Sequence, residues 1–361
     1  MKNSREGGSM SLRIGVIFGG RSTEHEVSIV SARNVGKTLV AAGYTAVPVA
    51  IDRAGRWFTG SVAEAYLRGE EIAEDASARG PACLAELALD VVFPMVHGVT
   101  GEDGALQGLC QLLDLAYVGG DPLNQSLCWD KITGRMLCVQ NDIPQPDFVV
   151  LDRDQDRDEQ VRMVVERLSW PVFVKPSRTG SSIGVARVLD TDQLREAVTR
   201  AFDYDERVIA EQGLDALEIE ISGLGGARPR LSIPARIIPA RDFYDFEEKY
   251  LGNATQFQIP AQISEAQLAR LQEIAYRAWT LFRCHGMARI DFLVTADEAY
   301  LNEINTIPGF TSISMYPLLL EKSGIDPVSL MRELVDLAQR RHREGVGSRE
   351  FHTHKDWYKG D

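Results

Sequence analysis

Two short segments near the carboxyl end carry acids and an amide at alternate positions, Arg289-Ile-Asp291 and Glu303-Ile-Asn305. Alternate residues of an extended strand share a face, so Asp291, Glu303 and Asn305 can converge as oxygen ligands. An all-oxygen set suits a hard cation such as Mg2+, which keeps waters and shares substrate phosphates. Two ordinary amphipathic strands with polar outer faces would show the same triplets. The balance shifts with Trp170-Pro-Val-Phe-Val-Lys-Pro176, an apolar run that delivers Lys175, and with Ser177-Arg-Thr-Gly-Ser-Ser-Ile-Gly184 behind it. Small residues and glycines beside a strand-borne lysine let backbone N–H groups close on phosphate oxygens. The lysine precedes the glycines, so this is not the GxxxxGK[ST] loop, and a different phosphate-binding geometry is needed.

The elements that must position these groups fit a soluble α/β chain. Its 361 residues suggest two or three lobes, and 44% hydrophobic with 25% charged residues excludes bulk disorder. No apolar run is long enough for a membrane span, and Met1 to Met10 has no signal-peptide core, so a cytoplasmic protein is expected. Five scattered cysteines without a CxxC pair suggest neither a disulfide framework nor a zinc site. A formal net charge of −13 is the wrong sign for a nucleic-acid binder, although a cleft can still concentrate a few lysines or metal ions around a small anion.

Leu12 to Phe18, then Gly19-Gly20, then Ser22 to Val27 read as strand, glycine turn and helix start. Thr45–Ile51 and Leu89–Pro94 read as further parallel strands, so residues 12 to about 119 form a small Rossmann-like α/β lobe; residues 60 to 82 read as a surface helix plus loop. Asp152 to Asp158 reads as a solvated connection. Further strands are expected at Arg207–Glu211, Leu217–Ile221, Leu231–Ile238, Ala288–Val294 and Ala299–Asn305, with a helix over Ser264 to Arg283 whose stripe runs through Leu268, Leu271, Ile274, Ala275, Ala278 and Leu281. The polar end, from about Arg340 to Asp361, reads as a frayed tail whose His342, His352 and His354 are not metal ligands.

Together these features resemble the ATP-grasp ligases, and more closely the D-alanine–D-alanine ligases. The resemblance spans roughly residues 12 to 340. It rests on Phe18–Ser28, Pro94–Gly108, Asp130-Lys131, Val174–Gly184, Phe243–Tyr250, Ala288–Phe292 and Leu301–Pro317, in the family's order. It implies a three-lobed ATP-grasp fold divided near 1–119, 120–216 and 217–345, with a polar tail at 346–361. It also implies ATP and two Mg2+ ions (Mn2+ possible) held by Asp291, Glu303 and Asn305. By resemblance Lys131 and Lys175 hold the α- and β-phosphates, Lys249 reaches the γ-phosphate and Ser182 belongs to the same nucleotide set. Glu211 and Leu214 match the adenine pocket and Glu218 the ribose hydroxyls. Glu24, with Ser181 and Tyr250, matches the group on the first D-alanine's ammonium, and His97 a histidine near a substrate carboxylate. Arg289 and the N–H of Gly309 match the oxyanion donors, and Ser314 with the N–H of Met315 the second substrate's carboxylate.

Such an enzyme activates one D-alanine as an acyl phosphate and couples it to another for peptidoglycan synthesis, in the cytoplasm and as a homodimer. Tyr250 weighs against D-lactate as second substrate; D-serine, a secondary-metabolite dipeptide ligase and a nucleotide-binding protein that no longer ligates are the alternatives. Two departures from the family pattern stand out: Trp129 where methionine is common, and Pro234-Ala-Arg236 in place of a Gly-Glu-Ile step.

Overall fold

The computed structural model describes residues 11–74, 76–238 and 256–347. The first sheet has the order β3-β2-β1-β4-β5, formed by β1 (Arg13–Gly19), β2 (Thr45–Ile51), β3 (Trp57–Phe58), β4 (Val91–Pro94) and β5 (Ala116–Tyr117). β1 pairs in parallel with β2 and β4, and β4 with β5; only the short edge strand β3 is antiparallel. β1 is almost wholly buried because both of its faces are covered, which is why it reads as a continuous apolar run. Ile14, Val16 and Phe18 face helix α1 (His25–Ala41), while Ile17 faces Leu106 and Cys110 of α3 (Ala105–Leu112). The expected surface helix is α2 (Gly60–Arg68).

The other two sheets are antiparallel. The second, β6-β9-β7-β8, joins β6 (Phe148–Asp152), β7 (Val172–Pro176), β8 (Ala186–Val188) and β9 (Arg207–Gln212). Helices α6 (Arg157–Arg167) and α7 (Thr191–Ala201) cover one face, each started by an aspartate, Asp156 or Asp190, that accepts a backbone N–H of the first turn. The third runs β13-β12-β10-β14-β15, from β10 (Leu217–Gly225), β12 (Ala235–Ile238), β13 (Gln256–Gln258), β14 (Gly286–Val294) and β15 (Ala299–Asn305), with β11 (Pro229–Leu231) also on β10. Against it lies α8 (Glu265–Leu281), opened by a Ser264/Gln267 capping box. Its Leu271, Ile274, Ala275 and Ala278 meet Ile219, Ile221, Ile290 and Phe292. Helices α4 (Pro122–Trp129) and α5 (Lys131–Gln140) reach the same core through Leu127 and Cys138.

Three local expectations need correction. The Asp152–Asp158 stretch is only partly a connection: Asp152 ends a strand, Asp156 caps α6, and the Arg157 guanidinium lies 4.3 Å from the Phe202 ring centroid. Leu231–Ile238 is two strands, because Pro234 has no N–H for the ladder. The chain after Arg340 is not frayed at its start, since α10 (Pro327–Gly347) packs on α1 and β5 and Arg341 donates to the carbonyls of Tyr117 and Gly119. α9 (Met315–Lys322) packs between the first and third sheets. His352 and His354 lie outside the described residues. Among the described residues no helix is long and apolar enough to cross a membrane.

Candidate active site

A cavity of about 700 Å³ opens between the three sheets. Every sequence-predicted site residue within the described residues borders it: Glu24 and His97 from the first sheet's side, Lys131, Lys175, Ser181, Ser182, Glu211 and Leu214 from the second, and Glu218, Arg289, Asp291, Glu303, Asn305, Gly309, Ser314 and Met315 from the third. Lys249 and Tyr250 lie outside the described residues.

The two polar triplets are neighbours, because β14 and β15 pair antiparallel with Asp291 opposite Glu303 and Arg289 opposite Asn305. A bulge follows Asp291, where the register shifts before Phe292. On the other side of β14, Glu220 of β10 stands opposite Asp291, so three carboxylates form a row across adjacent strands. Like charges directly opposite one another destabilise a sheet, so this row needs cations. Arg289 supplies one: Nε and Nη2 fork onto Asp291 at 2.8 and 2.7 Å, and Nε lies 3.3 Å from Glu220 Oε2. Burial pulls the Arg289 pKa down, but Asp291 and Glu220 win and raise it well above its ordinary value. Asn305 Nδ2 donates to Asp291 Oδ2 at 2.9 Å, which leaves the Asn305 carbonyl oxygen on the other side of the amide. The donor set of two carboxylates and one amide oxygen fits a hard dication, and a row of acids this dense is what such an ion would neutralise.

Lysines face the acids across the cavity. Asp130 caps α5 through the Thr133 N–H at 2.9 Å, which sets Lys131 in the first helical turn, and Lys131 Nζ donates to the Thr179 carbonyl at 2.5 Å. Burial lowers the Lys131 pKa, against the pull of Glu303. Lys175 Nζ sits 2.5 Å from Glu211 Oε2, and Arg135 Nε 2.6 Å from Glu211 Oε1. Burial would raise the Glu211 pKa, but Arg135 and Lys175 hold it far below the usual carboxylate range. Both Glu211 oxygens are therefore committed to cations in this state, and Lys175 is held between a carboxylate and the cavity.

The loop over the lysines is strained. Ser181 and Ser182 both have left-handed backbones, with φ of 50° and 57°, a conformation that costs a non-glycine residue about 1–2 kcal/mol. Ser181 Oγ donates to Glu24 Oε1 in a very short hydrogen bond. Gly180 is closely approached: a Cβ there would lie 3.0 Å from Glu24 Oε2, which would have to give by a few tenths of an ångström, and 3.6 Å from the Trp129 ring. The unusual Trp129 thus forms a wall of the serine loop. His97, 4% exposed, has both ring nitrogens near protein partners, Nδ1 at 3.0 Å from the Ile307 carbonyl and Nε2 at 3.3 Å from Ser31 Oγ. Burial lowers its pKa. The expected contact with a substrate carboxylate would have to displace one partner. Ser314 Oγ accepts the Thr311 N–H at 2.9 Å and lies where a Cβ on Gly309 would meet it at 2.7 Å, so a side chain at 309 would have to push Ser314 Oγ off that hydrogen bond.

Three site residues escaped the sequence reading. Arg135 is one helical turn beyond Lys131, and that i, i+4 spacing was its only local signal. Glu220 follows Glu218 by two and so shares its strand face. Glu102 stands in the Pro94–Gly108 block and accepts the Gly98 N–H at 2.8 Å. Burial, reinforced by Glu24, raises the Glu102 pKa from 4.5 to about 8. An unfolded chain releases this proton near the lower value and the folded one near the higher. Between them the folded state binds more protons, so stability falls as pH rises. From about pH 5 to pH 8 Glu102 should pull the thermal midpoint of the ligand-free protein downward, opposite in sign to the depressed His97, and Glu102→Gln should remove that share of the slope. An unchanged slope in a pH series of melting curves would contradict the assignment.

Comparison with known proteins agrees with this geometry. Residues 13–120 match the family model described as D-ala D-ala ligase N-terminus, and residues 137–336 match D-ala D-ala ligase C-terminus. The chain is 40% identical over 342 residues to the D-alanine–D-alanine ligase of Clostridium acetobutylicum, covering 92% of this chain and 99% of that one. It is 38% identical over 351 residues to that of Caldicellulosiruptor bescii, covering 92% and 96%. Among solved structures, the D-alanine–D-alanine ligase of Coxiella burnetii superposes with a TM-score of 0.80 at 35% identity, covering 94% of this chain and 97% of that one. The VanG D-Ala:D-Ser ligase of Enterococcus faecalis gives 0.81 at 31%, covering 91% and 100%. With both halves of its sheet scaffold matched in order, this chain belongs to the D-alanine–D-alanine ligase family.

Proposed function

We propose that the protein is an ATP-dependent ligase that joins two D-alanines into D-alanyl-D-alanine through an acyl phosphate, releasing ADP and phosphate, and so supplies a peptidoglycan precursor. The observation that carries this is the meeting, in one cavity, of the Glu24–Ser181 contact from one side with the lysines and the row of acids from the others. A carboxylate beside a hydroxyl suits an ammonium, and paired lysines suit phosphates. Lys131 and Lys175 then hold the α- and β-phosphates and Lys249 the γ-phosphate, with Ser182 over them, Glu211 and Leu214 at the adenine and Glu218 at the ribose. Tyr250 would complete the group begun by Glu24 and Ser181 and close the site against water. Arg289 and the Gly309 N–H face the oxyanion of the tetrahedral intermediate, and Ser314 with the Met315 N–H takes the second carboxylate.

Asp291, Glu303 and Asn305 fit two Mg2+ ions, and Mn2+ by the same oxygen chemistry. Such ions, when bound, offset negative charge on the transferring phosphoryl group. We place the reaction in the cytoplasm, where ATP is made, and propose a homodimer of three-lobed chains divided near residues 119 and 216, with 346–361 as a tail. Neither nucleic acid nor membrane has a part in it.

The test is product formation. With ATP and Mg2+, D-alanine should give ADP, phosphate and D-alanyl-D-alanine in equal amounts. A panel of D-alanine, D-serine and D-lactate as second substrate should rank D-alanine first. Absence of dipeptide at saturating substrate would refute the ligase, and preference for D-serine would move the protein to another branch of the family.

A further inference from the structure

Helix α1 buries a polar stripe. Glu24 at its N-cap, then Ser28 and Ser31, lie four and seven positions along one face, and both serines are fully buried. Buried hydroxyls are tolerated only where they are hydrogen-bonded, and these two are. Ser28 Oγ accepts the Gly19 N–H at 2.8 Å and donates to the Met95 carbonyl at 2.5 Å, which fixes the helix on the ends of β1 and β4. Ser31 Oγ accepts the Phe310 N–H at 3.1 Å and lies 3.3 Å from His97 Nε2.

The proton positions in this network follow from its partners. The Ile307 carbonyl only accepts, so His97 Nδ1 carries a proton and donates to it. The burial that lowers the His97 pKa favours the neutral ring, whose Nε2 is then an acceptor for the Ser31 hydroxyl. The chain therefore runs from the Phe310 N–H to Ser31, from the Ser31 hydroxyl to His97, and from His97 to the Ile307 carbonyl. It grips the segment 307–310 on either side of Gly309. One turn further along α1, Asn34 Nδ2 donates to the Phe310 carbonyl at 3.0 Å. The same helix thus begins at Glu24 and holds the Gly309 turn through Ser31, which lies about 10 Å further along the helix axis at 1.5 Å of rise per residue over seven residues.

We propose that Ser31, acting through Phe310 and His97 and seconded by Asn34, is a positioning residue that aims the Gly309 N–H at the oxyanion and ties it in register with Glu24. The inference rests on the oxyanion role given to Gly309 above. Ser31 touches neither substrate nor nucleotide. Its effect is on the transition state, because a donor misplaced by a fraction of an ångström loses most of its value in a dry site.

The test uses Ser31→Ala and Asn34→Ala in the full-length enzyme, with dipeptide formation, melting temperature and binding of a phosphinate dipeptide analogue whose tetrahedral oxyanion probes the hole. Ser31→Ala should lower kcat on the order of tenfold to a hundredfold, weaken analogue binding by a similar factor, and leave the KM for ATP within twofold. Asn34→Ala should do the same more mildly. A loss confined to the KM for D-alanine, or analogue binding unchanged in a folded variant, would overturn the proposal. If Ser31→Ala does not fold, Asn34→Ala decides by the same criteria. Wild-type enzyme that makes no dipeptide would instead refute the ligase reading, so the two failures are distinguishable.

Discussion

Glu303→Gln is expected to lower dipeptide formation by about a thousandfold or more, equivalent to about 4 kcal/mol of transition-state stabilisation. Glutamine has nearly the shape of glutamate, so the packing around β15 survives. What disappears is one of the charges in the Glu220–Asp291–Glu303 row. Removing a like charge from directly opposed strand positions relieves repulsion while the attraction of Glu303 for Lys131 and Arg289 is lost, so the melting temperature of the ligand-free protein should change little. Loss of activity with little change in stability is a signature that a merely structural glutamate would not give. Calorimetric titration with ATP and Mg2+ should show weaker binding of the pair, with ATP alone little affected. Near-wild-type turnover would refute the metal-ligand role.

Arg289→Met is expected to reduce kcat by about a hundredfold to a thousandfold, the range for losing an oxyanion donor, and unlike Glu303→Gln it should also destabilise. Asp291 loses both of its arginine hydrogen bonds, keeping that from Asn305 Nδ2, and Glu220 loses the nearby guanidinium, so two poorly exposed carboxylates lose their compensating cation. Breaking a buried pair in this way costs about 3–5 kcal/mol. Arg289→Lys should restore much of the stability, since an ammonium neutralises the acids. It should not restore kcat, because the planar fork onto Asp291, with the remaining guanidinium edge left for the cavity, has no counterpart in a point charge. Melting curves and steady-state rates on the two variants separate these effects, and a fully active lysine variant would remove Arg289 from the oxyanion site.

The variants act where sequence patterning and tertiary contact meet. The Asp291 and Glu303 pairing was legible because strand alternation is a local property, and two triplets on adjacent strands needed only an antiparallel partner. Lys175 was legible for the same reason, carried on a short apolar strand before a glycine loop. Arg135 and Glu220 were not. Each is an ordinary charged residue in its own helix or strand, and its meaning arises from Glu211, 76 residues from Arg135, or from Arg289 on the neighbouring strand. The tail was misread for a related cause. The helical turn that carries Arg341 is polar by composition, and its anchor is a pair of carbonyls at the far edge of the first sheet.

The amino-acid sequence alone therefore determined the elements and most of the chemical inventory: hydrophobic periodicity sets strands and helices over a few residues, and motif order carries the family. Only the tertiary structure decided which charges neutralise one another, that both His97 nitrogens meet protein partners, and that α1 reaches from Glu24 to the Gly309 turn. These are contacts between residues as much as 279 positions apart. Their energies depend on distance and burial, and neither quantity exists until the sheets have closed around the cavity.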